Sequence, residues 1–173
     1  LPETEHVRRV LWTAVNAHTG KRRIEEAFPK PYRRGELKEQ EMAVQLETDA
    51  RIQFMGSDNY DSIVGSGPFG LAFSEWALAD PQSFAALRPI LVENGGWGIF
   101  LTTTRGKNHV YTMLQEMKDE KDWAIFVEPA DQTGVFTREQ LEAERRISNS
   151  LYGPEVGEAW FRQEYLCTFE EIA

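Results

Sequence analysis

The chain has 173 residues, enough for one domain with a sizeable core, and its 41% hydrophobic and 12% aromatic content is globular and excludes a disordered tail. A formal net charge of -9 repels nucleic acid and anionic membranes over most of the surface, so contact with DNA needs a local basic patch or a partner subunit. The one cysteine, Cys167, excludes an internal disulfide framework and a multi-cysteine zinc site, and sets a reducing, cytoplasmic setting as the expectation.

The start, Leu1 to His6, has neither the basic nor the apolar region of a signal peptide and no initiator Met, which points to a fragment or a processed product. No apolar run approaches the length of a bilayer-spanning helix. Val7, Val10, Leu11, Ala14 and Val15 stand at helical spacing, so residues 3 to 16 are expected to form an amphipathic helix with Thr4 as its cap. His18 to Arg34 is polar, is interrupted by Pro29 and Pro31, and predicts a connecting loop. Three small basic clusters fall in this part of the chain: Arg8 and Arg9; Lys21, Arg22 and Arg23; Lys30, Arg33 and Arg34. Scattered charge of this kind is ordinarily solvated surface.

Met42 to Leu46 and Arg51 to Met55 alternate around Glu47 to Ala50, the signature of a hairpin with a four-residue turn. Gly56 to Gly67 reads as a loop, and Gly70 to Phe73 as a buried strand that ends on Ser74 and Glu75. Asp80 suits an N-cap and Pro81 a first helical position, opening a helix over 81 to 92. A second buried strand at 97 to 103 ends on Thr102, Thr103 and Thr104, followed by helix over Lys107 to Met117 and a third strand over Trp123 to Val127. Thr137 with Gln140 fits a capping box for a helix to Ile147 or beyond, and a last helix covers Pro154 to Leu166. Strands alternating with helices predict an α/β fold with a largely parallel sheet and flanking helices, beside the hairpin.

Parallel α/β sheets place ligands beyond the C-terminal ends of their strands, where this chain has a carboxylate after one strand and hydroxyls after the other. A carboxylate at Glu75 suits polarising an attacking water, and Ser74 beside it suits indirect contact with magnesium. Thr102, Thr103 and Thr104 suit sensing a γ-phosphate, with Arg105 or Lys107 to neutralise it and Arg88 as a further candidate phosphate contact. Each signal has an ordinary reading beside it: a solvated strand end for Glu75, good β formers for the threonines, a surface or ion-pair role for Arg88. His6, His18 and His109 have no metal-ligand spacing, and Cys167 has no adjacent base, so histidine metal binding and thiol catalysis are disfavoured. Trp12, Trp76, Trp97, Trp123 and Trp160 are read as core or rim packing. The Gly-x-x-x-x-Gly-Lys-Ser/Thr phosphate loop that should precede such strands is absent from the 173 residues.

Taken in order, Gly56 to Gly65, Phe73 to Ala77, Leu87 to Leu91, Thr102 to His109 and Gln163 to Cys167 resemble the ATPase domain of the large terminase subunit of tailed bacteriophages and prophages. That family drives DNA into empty capsids. By this resemblance the fold is P-loop NTPase-like, Phe73 to Glu75 is the Walker B strand with Glu75 as catalytic carboxylate, and Thr102 to Arg105 is the coupling motif. The family usually has Asp where this chain has Ser74 and Pro where it has Thr104.

The resemblance covers the latter part of the ATPase domain, as a single domain over 1 to 173, with the P-loop strand expected before Leu1 and the nuclease domain after Ala173. It implies ATP and magnesium as cofactors of the intact protein, neither bound tightly by this chain without a phosphate loop. It implies double-stranded DNA, the small terminase subunit, the portal and further copies of the chain as partners, no membrane, and the cytoplasm of the bacterial host as the setting. A non-catalytic assembly module of prophage origin and a helicase-like ATPase remnant stay open as alternatives. Loss of the P-loop strand should bare an edge of the strand Trp97 to Thr103, to be covered by Ile125 to Val127 or by a second copy.

Overall fold

The computed structural model describes residues 3–170; the chain ends Leu1 and Ala173 lie outside the described residues. The chain is mixed α/β and divides into two compact units between Leu101 and Thr102.

In the first unit α1 (Thr4–Val7) runs directly into a π-helical turn, Arg8–Trp12, closed by the Thr13 N–H donating to the Arg8 carbonyl five residues back at 2.8 Å. This corrects the expected regular helix over 3 to 16. The wider turn brings Val7 and Trp12 to the same buried face, while Val10 and Val15, which a 3.6-residue period would bury, are 37% and 55% exposed. Glu3, not Thr4, stands at the N-cap; the Thr4 hydroxyl instead donates to Asp58 Oδ1 at 3.3 Å.

The expected loop over His18 to Arg34 contains α2 (Arg23–Ala27) and a short 3₁₀ turn, Lys30–Tyr32. Ile24 explains the difference: it packs with Val7, Trp12, Met42 and Val44 into one core, and that burial holds a turn that propensity alone would not. The hairpin is as the alternation predicts, β1 (Ala43–Gln45) antiparallel to β2 (Arg51–Gln53) with Val44 opposite Ile52.

A 3₁₀ turn at Ser57–Asn59 and α3 (Asp61–Val64) occupy the expected 56–67 loop. Then β3 (Gly70–Ser74), α4 (Pro81–Asn94) and β4 (Trp97–Leu101) form a β-α-β unit whose strands pair in parallel. Asp80 caps α4 by accepting from the Gln82 N–H at 2.9 Å, with Pro81 in the first turn. Phe73 stacks on its register partner Phe100, ring centroids 5.2 Å apart, and Phe84 of α4 meets Phe100 edge-on at 4.8 Å, so one sheet face is closed by aromatic packing. Gly70 lies under the Trp97 ring, where a Cβ would fall 2.4 Å from the indole.

Among the described residues the expected parallel sheet is present as the two-stranded β3–β4 pair, smaller than the alternation of elements predicts, and the antiparallel hairpin is a second two-stranded sheet. The strand expected at Trp123 to Val127 enters no ladder among the described residues, and Ile125, Phe126 and Val127 are 38%, 80% and 55% exposed. An apolar run reports a tendency to bury, but a strand exists only where a neighbour supplies its hydrogen bonds.

In the second unit α5 (His109–Met117) starts two residues later than expected because Asn108 caps it, accepting from the Val110 N–H at 3.0 Å. After α6 (Ala130–Thr133), α7 (Arg138–Tyr152) and α8 (Pro154–Leu166) pack as a helical hairpin joined at Gly153. Gly157 permits the close approach, since a Cβ there would lie 2.5 Å from the Asn149 Cα. Arg145 spans the pair, reaching Glu158 at 3.2 Å and lying 4.7 Å over the Phe161 ring. No helix among the described residues is long and apolar enough to cross a membrane.

Candidate functional site

The parallel register pairs Ser74 with Leu101, so β3 and β4 run out at the same end of their sheet. Glu75 is the next residue after the first strand, and Thr102 the next after the second. Alternation along β3 buries Phe73 and turns the half-buried Ser74 to the opposite face. At Glu75 the chain leaves the extended region for a left-handed conformation, φ 57° and ψ 46°, and its carbonyl accepts from the Leu78 N–H at 2.9 Å to open the Trp76–Leu78 turn. Left-handed backbone is unfavourable for a residue with a Cβ, and such states concentrate where a side chain must be aimed. Glu75 itself is half-buried.

The three threonines have different situations. Thr102 is exposed and its hydroxyl donates to the Thr103 carbonyl at 2.8 Å; Thr103 is half-buried. Thr104 is buried, and its hydroxyl donates to the Gln163 carbonyl at 2.9 Å, satisfying one of the carbonyls left open at the C-terminal end of α8. Gln163 is itself 4% exposed, and its Oε1 accepts from the Gly106 N–H at 2.8 Å. One buried glutamine thus holds Thr104 through its backbone and Gly106 through its side chain. Between them Arg105 lies 3.5 Å from Glu164 and 5.9 Å over the Trp160 ring, on the wall of an open depression of about 480 Å³ also lined by Glu144, Tyr152 and Tyr165. The Tyr165 hydroxyl donates to Glu144 at 3.1 Å; burial first, and then this bond, raise it above the usual phenol range.

Arg88 is exposed on α4, in a shallow surface depression with Ala85, Pro89, Val92 and Glu93, which is the surface setting its ordinary reading describes. Cys167 ends α8 in a left-handed conformation; burial first, with Glu128 and Asp131 adding, pushes its thiol up, against a backbone hydrogen bond that lowers it. The thiol is therefore not poised as a nucleophile at neutral pH. Arg33, grouped in the sequence with solvated charge, is buried at 5% exposure, which corrects that expectation. Trp12 and Trp76 are core residues, whereas Trp97 is 50% exposed.

Among the described residues no group of three His, Cys, Asp or Glu side chains is placed to hold a metal ion. Ser74 and Glu75 supply one hydroxyl and one carboxylate. That donor set fits a magnesium that keeps most of its water and is bound mainly through a nucleotide's phosphates, and does not fit an all-protein cage.

The roles of Gln163, Glu164 and Trp160 in holding the 104–106 segment were missed in the sequence. The Gln163 to Cys167 stretch is conspicuous there, but nothing in it reveals which loop it holds. No family model matches the chain, no curated protein matches its sequence, and no solved structure matches its fold.

Proposed function

We propose that this chain is the latter part of a P-loop NTPase-type ATPase domain from a terminase-like phage or prophage motor that packages double-stranded DNA in the bacterial cytoplasm. The observation that carries the reading is the shared end of β3 and β4, with Glu75 in a left-handed conformation immediately beyond one strand and Thr102 immediately beyond the other. Glu75 acts as the base that orients and polarises the attacking water. Ser74 and Glu75 are the residues that would hold a magnesium ion, which with ATP bound would supply neutralisation of charge on the phosphates. Thr102 and Thr103, which follow β4 directly in the chain, are the hydroxyls that sense the γ-phosphate. Thr104 and Arg105 carry the state of that end to α8, through Gln163 and Glu164 respectively. The small terminase subunit, the portal and further copies of the chain are the partners of this reading.

The reading requires a phosphate-binding loop supplied from outside these 173 residues, since the backbone amides and Lys of such a loop provide most of the grip on ATP. The coding sequence upstream of Leu1 is expected to carry a Gly-x-x-x-x-Gly-Lys-Ser/Thr loop after an apolar strand. A protein that includes it is expected to lose magnesium-dependent ATP turnover by a factor of about 10²–10⁴ on Glu75→Gln while keeping nucleotide binding. The 173-residue chain alone is expected to release phosphate no faster than background. An upstream sequence without such a loop, or turnover that survives Glu75→Gln, overturns the assignment.

A further inference from the structure

We infer that Asn94 is a deamidation site that the fold keeps closed: its side-chain amide is lost when the end of α4 opens, and the carboxylate formed keeps that end from closing again, independently of the ATPase reading. Asn94 and Gly95 are the only Asn-Gly pair in the chain, and both are exposed to water. The pair needs no enzyme. The Gly95 backbone nitrogen, once deprotonated, attacks the Asn94 Cγ; the Cγ–Nδ2 bond breaks and ammonia leaves. Water then opens the resulting succinimide at one carbonyl or the other, giving aspartate or the backbone-lengthened isoaspartate. Glycine in second place makes the attack easiest, because no Cβ stands beside its nitrogen.

The native backbone holds both reacting groups in check. Asn94 is the last residue of α4, and Gly95 follows it in left-handed backbone, φ 62°, as a Schellman close. The Gly95 N–H donates to the Val92 carbonyl at 3.3 Å and the Gly96 N–H to the Leu91 carbonyl at 2.7 Å. An engaged N–H gives up its proton less readily, and the attack needs the Asn94 backbone turned out of the helical region. The side chain is tied as well: Asn94 Nδ2 donates to the Gly67 and Pro68 carbonyls, at 3.3 and 3.1 Å, just ahead of β3. Two carbonyl acceptors can be served only by the NH2 end of an amide, which fixes its orientation.

The same contacts reject the product. A carboxylate has no proton for those two carbonyls, and it sets negative charge at the C-terminal end of α4, where the helix dipole is already negative. Isoaspartate adds a methylene to the chain inside the Schellman turn. Either product unfastens α4 from the loop that enters β3, next to the Trp97 N–H bond to the Phe69 carbonyl, 3.1 Å, where the β3–β4 pair begins.

The test is peptide mapping by mass spectrometry of the dilute 173-residue chain held at mildly alkaline pH, folded and in urea. In urea Asn94 is expected to convert ahead of Asn16, Asn59, Asn108 and Asn149, giving both aspartate and isoaspartate peptides. Gly95→Ala should slow that conversion sharply in urea, where its strain in the folded turn plays no part. In the folded chain conversion at Asn94 is expected to be slower by roughly tenfold or more, the protection given by the cost of local opening. Asn94→Asp is expected to lower the urea midpoint and to speed amide exchange at Gly96 and Trp97. Equal rates in the folded and unfolded chain, an Asn94 that does not lead the other asparagines in urea, or an Asn94→Asp chain with unchanged exchange at those amides overturns the inference. The ratio of folded to unfolded rates is read on the unmodified chain, so it decides even if Asn94→Asp does not fold.

Discussion

Glu75 and Cys167 both carry a Cβ in left-handed backbone, at φ 57° and φ 55°. Such a conformation costs about 1–2 kcal/mol relative to the right-handed region, while glycine adopts it freely but loses about 0.5–1 kcal/mol more chain entropy on folding. Glu75→Gly is therefore expected to leave stability unchanged or to raise it by up to about 1 kcal/mol, read as the urea midpoint of the chain. A fall larger than that would mean the Glu75 side chain is held by packing, and the ordinary structural reading of this carboxylate would gain. A residue kept in strained backbone where glycine would serve better is what an aimed functional group looks like.

Glu39 supplies a second test at this scale. Its carboxylate accepts from both ends of the Arg22 guanidinium, at 2.7 and 3.1 Å, and from the Trp12 indole N–H at 2.7 Å. The Arg22 hydrogen bond above all, with the Trp12 bond adding and partial burial opposing, holds this carboxyl below the usual range. A folded-state value below the unfolded one contributes stability that is fully present above the ordinary carboxylate range and disappears as pH falls through the depressed value. Glu39→Gln is expected to lower the urea midpoint at neutral pH, with the gap to the parent chain closing as pH falls through the carboxylate range. A gap that stays constant with pH would assign the effect to the lost Trp12 contact and not to charge. The side chain is 56% exposed, so the effect is modest and weakens with added salt.

Among the elements, those announced by local chemistry are the ones the sequence makes legible. Asp80 with Pro81, and Thr137 with Gln140, specify helix starts through hydrogen bonds that span two or three residues, and both are present as expected. In the capping box the Thr137 Oγ1 accepts from the Gln140 N–H at 3.2 Å and the Gln140 Oε1 from the Thr137 N–H at 2.8 Å. Thr137→Ala leaves the Gln140 N–H without its acceptor and is expected to cost about 1 kcal/mol, with Thr137→Ser nearly neutral, by denaturant midpoint. Equal losses in the two variants would show that the threonine methyl, not the hydroxyl, carries the effect. The elements that were not legible depend on distant partners. The π turn at Arg8–Trp12 is set by burial of Trp12, α2 by burial of Ile24 in the same core, and the clamp on Thr104 and Gly106 by Gln163, more than fifty residues away in the chain. No local period records those contacts, and Trp123 to Val127 shows the converse: a strand-like run with no ladder to join.

At the scale of the molecule, the parallel pair β3–β4 is the least complete structure among the described residues. Parallel sheets ordinarily have both faces covered, because their crossovers bring helices to the faces. Here Phe73 and Phe100 are closed over by Phe84, while Trp97, Ile99 and Leu101, at the alternate positions of β4, are 50%, 48% and 60% exposed. Both strands of this two-stranded sheet are also edge strands in its ladder, and β4 carries those exposed apolar side chains. An exposed apolar edge templates pairing with another strand, so the 173-residue chain is expected to self-associate as its concentration rises, read by static light scattering. Ile99→Lys places a charge at the centre of that face without touching the Phe73–Phe84–Phe100 cluster, and is expected to suppress the association while moving the urea midpoint by no more than about 0.5 kcal/mol. Scattering that stays monomeric at every concentration would show that the face is covered within one chain. Association that survives Ile99→Lys would move the sticky surface elsewhere, Phe126 and Val127 being the next exposed apolar pair.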